Sequence, residues 1–278
     1  MLSWSDIDTV MFDMDGTLLD LHFDNYFWEE LVPTLYGQRI GLEPDQAWTQ
    51  LRQQYQDIQG TLNWYCVDFW SERLKMDLQQ LKVDTRARIA LRPNVTPFLQ
   101  RLREHDKKVL LVTNAHPGSL ALKMEQTGLD VHFHRTISSH TLGKAKEHAG
   151  FWQSLQQLEH FDPARSALFD DNLHVLRQAR NEGIRHLYAI GQPDSKRPPV
   201  DAGEFHAIDD FADIMPPLAA AQVPATRVPA TRVPVTRVPP TKAPLTKEPL
   251  TKVPLTKAPL TKVPLAKAPA SRRVSDEE

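Results

Sequence analysis

The sequence predicts a doubly wound, Rossmann-like α/β fold with a parallel sheet, an α-helical insert after the first strand and a disordered tail. Three observations predict it. Short apolar runs alternate with helical patterns through most of the first 222 residues. Between 21 and 90 that alternation stops and the pattern is helical and aromatic. From 223 to 267 the chain is a five-residue proline repeat.

The runs at 9–12, 109–112, 167–169 and 186–190 have the length and continuous apolarity of strands buried on both faces. Helical patterns lie at 95–104, 120–127, 151–158 and 173–182, between or after those strands, as crossover connections require. In the insert, helices are expected near 26–35, 44–59 and 64–76, with no strand. The expected organisation is therefore a core of residues 1–20 and 91–222, a helical cap of residues 21–90, and a tail of residues 223–278.

In the tail every repeat carries proline at its second position, from VPATR to VPLAK. Proline fixes φ and removes a backbone donor, so an extended, solvated chain is expected. The tail holds eleven basic and four acidic residues, +7, which leaves −9 for the rest of a chain whose net charge is −2. A basic arm suits a tether or adaptor role; a tolerated repeat expansion is the plainer reading, and the sequence names no partner. No aromatic residue interleaves the tail's charges to stack bases, and the core's charge gives no reason to expect nucleic acid there.

The chain is 41% hydrophobic and 24% charged, enough for a packed core. Its single cysteine, Cys66, cannot form an internal disulfide. No run approaches the roughly 18 apolar residues of a membrane helix, and Met1–Trp4 lacks a signal-peptide layout, so a cytoplasmic protein without a membrane span is expected.

The chemistry is concentrated at strand ends. In Val10-Met11-Phe12-Asp13-Met14-Asp15-Gly16-Thr17 an apolar strand runs into two carboxylates two residues apart. Two such acids face the same way and repel, a cost that a cation or a phosphate site offsets. Leu111-Val112-Thr113-Asn114-Ala115-His116-Pro117 ends another strand with a hydroxyl donor, a backbone N–H and a proline suited to a helix's first turn. Leu168-Phe169-Asp170-Asp171-Asn172 ends a third in paired acids. Between them, Gly143-Lys144-Ala145-Lys146-Glu147 offers two lysines. Taken singly, Thr113 and the Asp170–Asp171 pair are ordinary helix caps and the lysines ordinary solvated charges.

In this order the four segments resemble the motifs of the haloacid dehalogenase (HAD) superfamily. The resemblance implies that Asp13 attacks phosphorus and forms an aspartyl-phosphate. Asp15 would protonate the leaving oxygen and then activate water. Thr113 and Asn114 would bind the phosphoryl oxygens, and Lys146, followed by Glu147, would screen the charge. Lys144 remains the alternative, because Ala145 stands where the family often has proline. Asp13, the Asp15 carbonyl, Asp170 and Asp171 would hold Mg²⁺, with the choice of direct ligand between the last two left open. Asp15 argues against dehalogenation, which needs no acid; mutase chemistry stays open.

The start of the insert, Asp20-Leu21-His22-Phe23-Asp24-Asn25-Tyr26-Phe27-Trp28, with Arg52-Gln53-Gln54-Tyr55 and Asn63-Trp64-Tyr65, resembles the superfamily's bacterial nucleotidases. That implies hydrolysis of purine 5′-monophosphates such as GMP and IMP, with sugar phosphates or phosphoglycolate as alternative substrates. Asp24, Asn25, Tyr26, Tyr55, Asn63 and Trp64 are the candidate substrate contacts; the aromatics could equally be the insert's own core. The eleven histidines show no zinc-like spacing, and Ser138, Ser139 and His140 are assigned no catalysis.

Overall fold

The computed structural model describes residues 3–218; the repeat tail lies outside the described residues. Among the described residues, six parallel strands form one sheet in the order β3-β2-β1-β4-β5-β6. They are β1 (Thr9–Phe12), β2 (Lys108–Thr113), β3 (Arg135–Ser138), β4 (Ser166–Asp170), β5 (His186–Ile190) and β6 (His206–Ile208). The chain winds outward from β1 in one direction and then returns to build the other half. β1 and β4 thus flank the switch point, where a crevice opens beyond the strand ends.

The expected doubly wound sheet is present. β3 and β6 were not anticipated: Arg135-Thr136-Ile137-Ser138 and His206-Ala207-Ile208 are short edge strands with exposed starts, so neither shows the apolar run of a central strand.

Both faces of β1 are covered. Val10 and Phe12 pack with Phe98, Leu99, Leu102 and Leu122, from α6 (Val95–Glu104) and α7 (Pro117–Thr127). Met11 packs on the other face with Phe151, Trp152, Val175 and Leu176, from α9 (Phe151–Leu158) and α10 (Leu173–Asn181). The pleat sends successive side chains to opposite faces, so every residue of β1 is buried.

One row of rings fixes the register. Phe12 pairs with Phe169, and Phe169 with Tyr188, across β1, β4 and β5. Their rings stack at 5.1 and 4.9 Å between centroids. A slip by one residue would turn these rings to the other face. The ladder therefore places Asp13 beside Asp170, and the Asp13 N–H donates to the Phe169 carbonyl at 2.9 Å.

Between β1 and α6 the chain is helical. It runs through α1 (His22–Asn25), a π-helical turn (Tyr26–Leu31), α2 (Val32–Ile40), α3 (Pro44–Asp57), a 3-10 turn (Leu62–Tyr65), α4 (Val67–Leu74), α5 (Leu78–Asp84) and a 3-10 turn (Arg86–Arg88). The remaining short helix of the core is α8 (Ser139–Leu142). The insert has its own core, with Phe27, Val32, Leu51, Val67, Trp70, Leu74 and Leu78. Its two ends meet: the Asp20 N–H donates to Ala90 O at 2.9 Å and the Arg92 N–H to Leu18 O at 3.0 Å.

The expected helix at 64–76 begins instead at Val67 and stops at Lys75, whose backbone is left-handed (φ 57°). A separate helix, α5, follows, capped by the Asp77 carboxylate on the Gln80 N–H. No described helix is long and apolar enough to cross a membrane.

Candidate active site

Asp13, Asp15, Thr113, Asn114, Lys146, Asp170 and Asp171, drawn from separate segments of sequence, line one cavity of about 550 Å³. It lies beyond the carboxyl ends of β1, β2 and β4, and the helical insert supplies the rest of its wall.

The chain turns sharply just past β1. Gly16 has φ +79°, and a Cβ there would stand 2.5 Å from the Asp171 carboxylate. Glycine thus allows both the turn and the close approach of two acidic segments. Thr113 ends β2, and its hydroxyl accepts the Ala115 N–H at 3.0 Å. His116, not Thr113, is the N-cap of α7, and Pro117 opens that helix. Asn114 serves through its side chain as a brace: its Oδ1 accepts the Lys146 N–H at 2.9 Å and its Nδ2 donates to Glu147 at 2.9 Å. Glu147 also accepts the Tyr65 hydroxyl of the insert at 2.8 Å.

Lys146 is fully buried and donates to Asp13 at 2.5 Å and to Asp170 at 2.7 Å, whereas Lys144 is exposed. Burial would push the Lys146 ammonium down, but the two carboxylates outweigh it and hold it above its ordinary range. Burial raises Asp13 to about 6, against the pull of Lys146, and raises Asp15 to about 6, with Asp24 adding to it. Asp171 is raised well above the usual carboxylate range by burial and by the charges of Asp13 and Asp170.

Among the described residues Asp13, Asp170 and Asp171 bring ligand oxygens within 4.8 Å of one another. Asp170 is already engaged, by Lys146 and by the Asn172 N–H at 3.0 Å. The donor set is all oxygen, which suits a hard divalent cation, and a cation there would offset the repulsion that holds Asp171 up. The residues present fit Mg²⁺. The Asp15 carboxylate is not in that group; it accepts from Lys123 at 2.6 Å.

The insert's candidate residues divide. Tyr55, Trp64, Asp24 and Asn25 line the cavity, as do Trp28, Trp48 and Trp70. Tyr26 and Asn63 do not. Tyr26 is covered by the Arg88 guanidinium, 3.9 Å from its ring centre, and Asn63 is exposed on a 3-10 turn. Tyr55 is part of the insert's packing, edge-on to Trp70 at 4.8 Å, yet its buried hydroxyl has no partner. Asp24, one of the candidate substrate contacts, is ion-paired at 2.9 Å to Lys82 and at 2.6 Å to Lys123.

Lys82 and Lys123 escaped the sequence reading, being single lysines in the middle of helical segments. The available signal was position: Lys123 falls on the buried face of α7 with Ser119 and Leu122.

The family described as haloacid dehalogenase-like hydrolase matches residues 7–183. The GMP/IMP nucleotidase YrfG of Escherichia coli (strain K12) is 41% identical over 217 residues, 78% of this chain and 98% of that protein. The Shigella flexneri protein of the same name matches to the same extent. Among solved structures, a HAD phosphatase from Thermococcus onnurineus aligns with a TM-score of 0.63 at 19% identity, over 75% of this chain and 96% of that one. CbbY from Rhodobacter sphaeroides, in complex with phosphate, aligns with a TM-score of 0.55 at 16% identity, over the same shares. Sequence and architecture together make this chain an enzyme of the haloacid dehalogenase-like hydrolase family.

Proposed function

We propose that the chain is a Mg²⁺-dependent phosphomonoesterase that hydrolyses purine 5′-nucleotides, GMP and IMP, to nucleoside and phosphate. One observation carries this reading. The carboxylate–lysine cluster at the strand tips opens into a cavity whose other wall is aromatic. Phosphate at the first and a purine face at the second is the division of labour that a nucleotide requires. The nucleotidase relative, aligned over nearly its whole length, supports the same substrate class.

Asp13 is the nucleophile. Its carboxylate oxygen forms a bond to phosphorus while the bond from phosphorus to the nucleoside 5′-oxygen breaks. Asp15 gives its proton to that departing oxygen, so a neutral alcohol leaves. The resulting aspartyl-phosphate is hydrolysed when Asp15 takes a proton from water as the water oxygen bonds phosphorus, freeing Asp13. Lys146 holds Asp13 in place and counters phosphoryl charge, and Thr113 and the Asn114 N–H face the phosphoryl oxygens. Asp13, Asp170, Asp171 and the Asp15 carbonyl would hold Mg²⁺, which when bound neutralises charge shared by nucleophile and phosphoryl group.

A phosphate-release screen with Mg²⁺ over IMP, GMP, AMP, phosphoglycolate and hexose phosphates tests the proposal. Preference for IMP and GMP is expected. Preference for phosphoglycolate or a hexose phosphate would overturn the substrate assignment and leave the phosphatase chemistry standing.

A further inference from the structure

A line of alternating charges runs from the insert to the proton donor: Lys82, Asp24, Lys123, Asp15. Lys82 donates to one oxygen of Asp24 at 2.9 Å, and Lys123 bridges the other oxygen to Asp15 Oδ1 with two contacts of 2.6 Å. Both lysine side chains are buried, 3% and 1% exposed. Aromatic rings wall them in: the Lys82 ammonium lies 4.7 Å from the centre of Phe27, and Phe23 faces both lysines at 5.3 and 5.4 Å. Lys82 and Asp24 belong to the insert, Lys123 to α7 of the core.

Burying two ammonium groups is costly, and well-packed apolar side chains of similar size would serve stability as well or better. The arrangement does something that apolar packing cannot. It holds one oxygen of Asp15 and leaves the other free. Among the described residues Asp15 Oδ2 accepts no hydrogen bond, and Asp15 lines the cavity and is 21% exposed to it.

On the reading of Asp15 as the proton donor, we propose that Lys123 is a positioning residue that fixes the Asp15 carboxyl for proton transfer to the leaving oxygen, and that Asp24 keeps Lys123 aimed. The donated hydrogen bond to Oδ1 sets the carboxyl rotamer. The proton then rides on Oδ2 and passes to the alkoxide oxygen as its bond to phosphorus breaks. Lys123 touches neither phosphorus nor leaving group; it acts only through Asp15. Because Asp24 is anchored on Lys82, the orientation of the proton donor depends on the insert being seated.

The test compares leaving groups. IMP expels an alkoxide that needs a proton; p-nitrophenyl phosphate expels a phenolate that does not. The quantity to measure is kcat/KM, which covers the first half-reaction only, so the later role of Asp15 as a base does not enter. For K123M, kcat/KM on IMP should fall by about 10²-fold, the scale of a lost general acid, and on p-nitrophenyl phosphate by less than about tenfold. D24N should show the same selectivity at smaller size, and it decides the matter if K123M does not fold by circular dichroism. Equal losses on the two esters, or no loss on either, would overturn the proposal. Collapse of both variants would assign the charges to the scaffold and overturn it as well. The substrate reading fails separately: if the wild-type enzyme prefers another alkyl phosphate to IMP, the same ratio is taken on that ester.

Discussion

The floor of the cavity is made by strand tips, its wall by helices of the insert, and the two differ in how their side chains are held. On the floor, Asp13 and Asp170 are set side by side by the register of β1 and β4, and Lys146 joins them. Asp13 and Asp170 are held by backbone hydrogen bonds of a buried sheet, and Lys146, in a turn, by the Asn114 side chain that accepts its N–H. On the wall, Trp28, Tyr55 and Trp70 pack ring edge to ring face among the insert's other aromatic side chains, with one hydrogen bond from the Trp70 indole to Trp64 O. A floor residue therefore has one geometry and one chemical task, whereas a wall residue shares its place with neighbours that can repack. Substitutions should follow that division: large, specific losses of rate on the floor, modest losses of binding on the wall.

The largest effect is expected at Asp13. D13N removes the proposed nucleophile and one member of a repelling carboxylate cluster, so turnover should fall by at least about 10³-fold with the fold retained. Phosphate release and a thermal melt check the two halves. Activity near wild type would mean that another group attacks. At Lys146 the balance is reversed. K146M leaves Asp13 and Asp170 without their buried cation, which should cost about 3 kcal/mol of stability and most of the activity. An unchanged melting temperature would show that the pair is not buried as described.

The floor was readable in the sequence because its signals are local. Asp13 and Asp15 sit two apart, Asp170 and Asp171 adjoin, and each pair directly follows an apolar run that fits a buried strand. The resemblance, through the Lys followed by Glu147, then favoured Lys146 and kept Lys144 as the alternative, and the structure places the first in the cluster and the second in solvent. The wall was only partly readable. A tryptophan in a helical pattern carries no mark that tells cavity from core, so Tyr26 and Asn63 were grouped with Trp64 and Tyr55, although only the last two line the cavity. Asp24 was noticed, but its ion pairs with Lys82 and Lys123 were invisible because they join residues 58 and 99 positions apart. No local spacing encodes such a contact.

Gly16 tests how tightly the floor is built. G16A forces a side chain into a left-handed backbone and against Asp171, with a strain of about 1–2 kcal/mol from the backbone alone. Because the acid group must move, turnover should drop further than stability does, by about 10²-fold. A variant that loses stability while keeping its rate would show that the Asp171 position tolerates movement. On the wall, W64A should raise KM for IMP by up to about tenfold, the worth of one aromatic contact, with kcat within about twofold. A fall in kcat with KM unchanged would place Trp64 in the scaffold.

The smallest effect is expected from the tail. The family match ends at residue 183, and the nucleotidase relative covers 217 residues, so neither reaches through the whole repeat. Every residue of the floor and wall lies before residue 176. Deleting residues 223–278 should therefore leave kcat/KM on IMP within about twofold, a change too small to reflect a lost active-site contact. The same deletion removes a charge of +7 and leaves a strongly acidic protein. Any binding of the full-length protein to anionic surfaces should thus vanish or weaken with added salt, while hydrolysis continues. Loss of turnover on deletion would mean that the basic arm contributes to catalysis, and the division between chemistry in the folded region and charge in the tail would have to be redrawn.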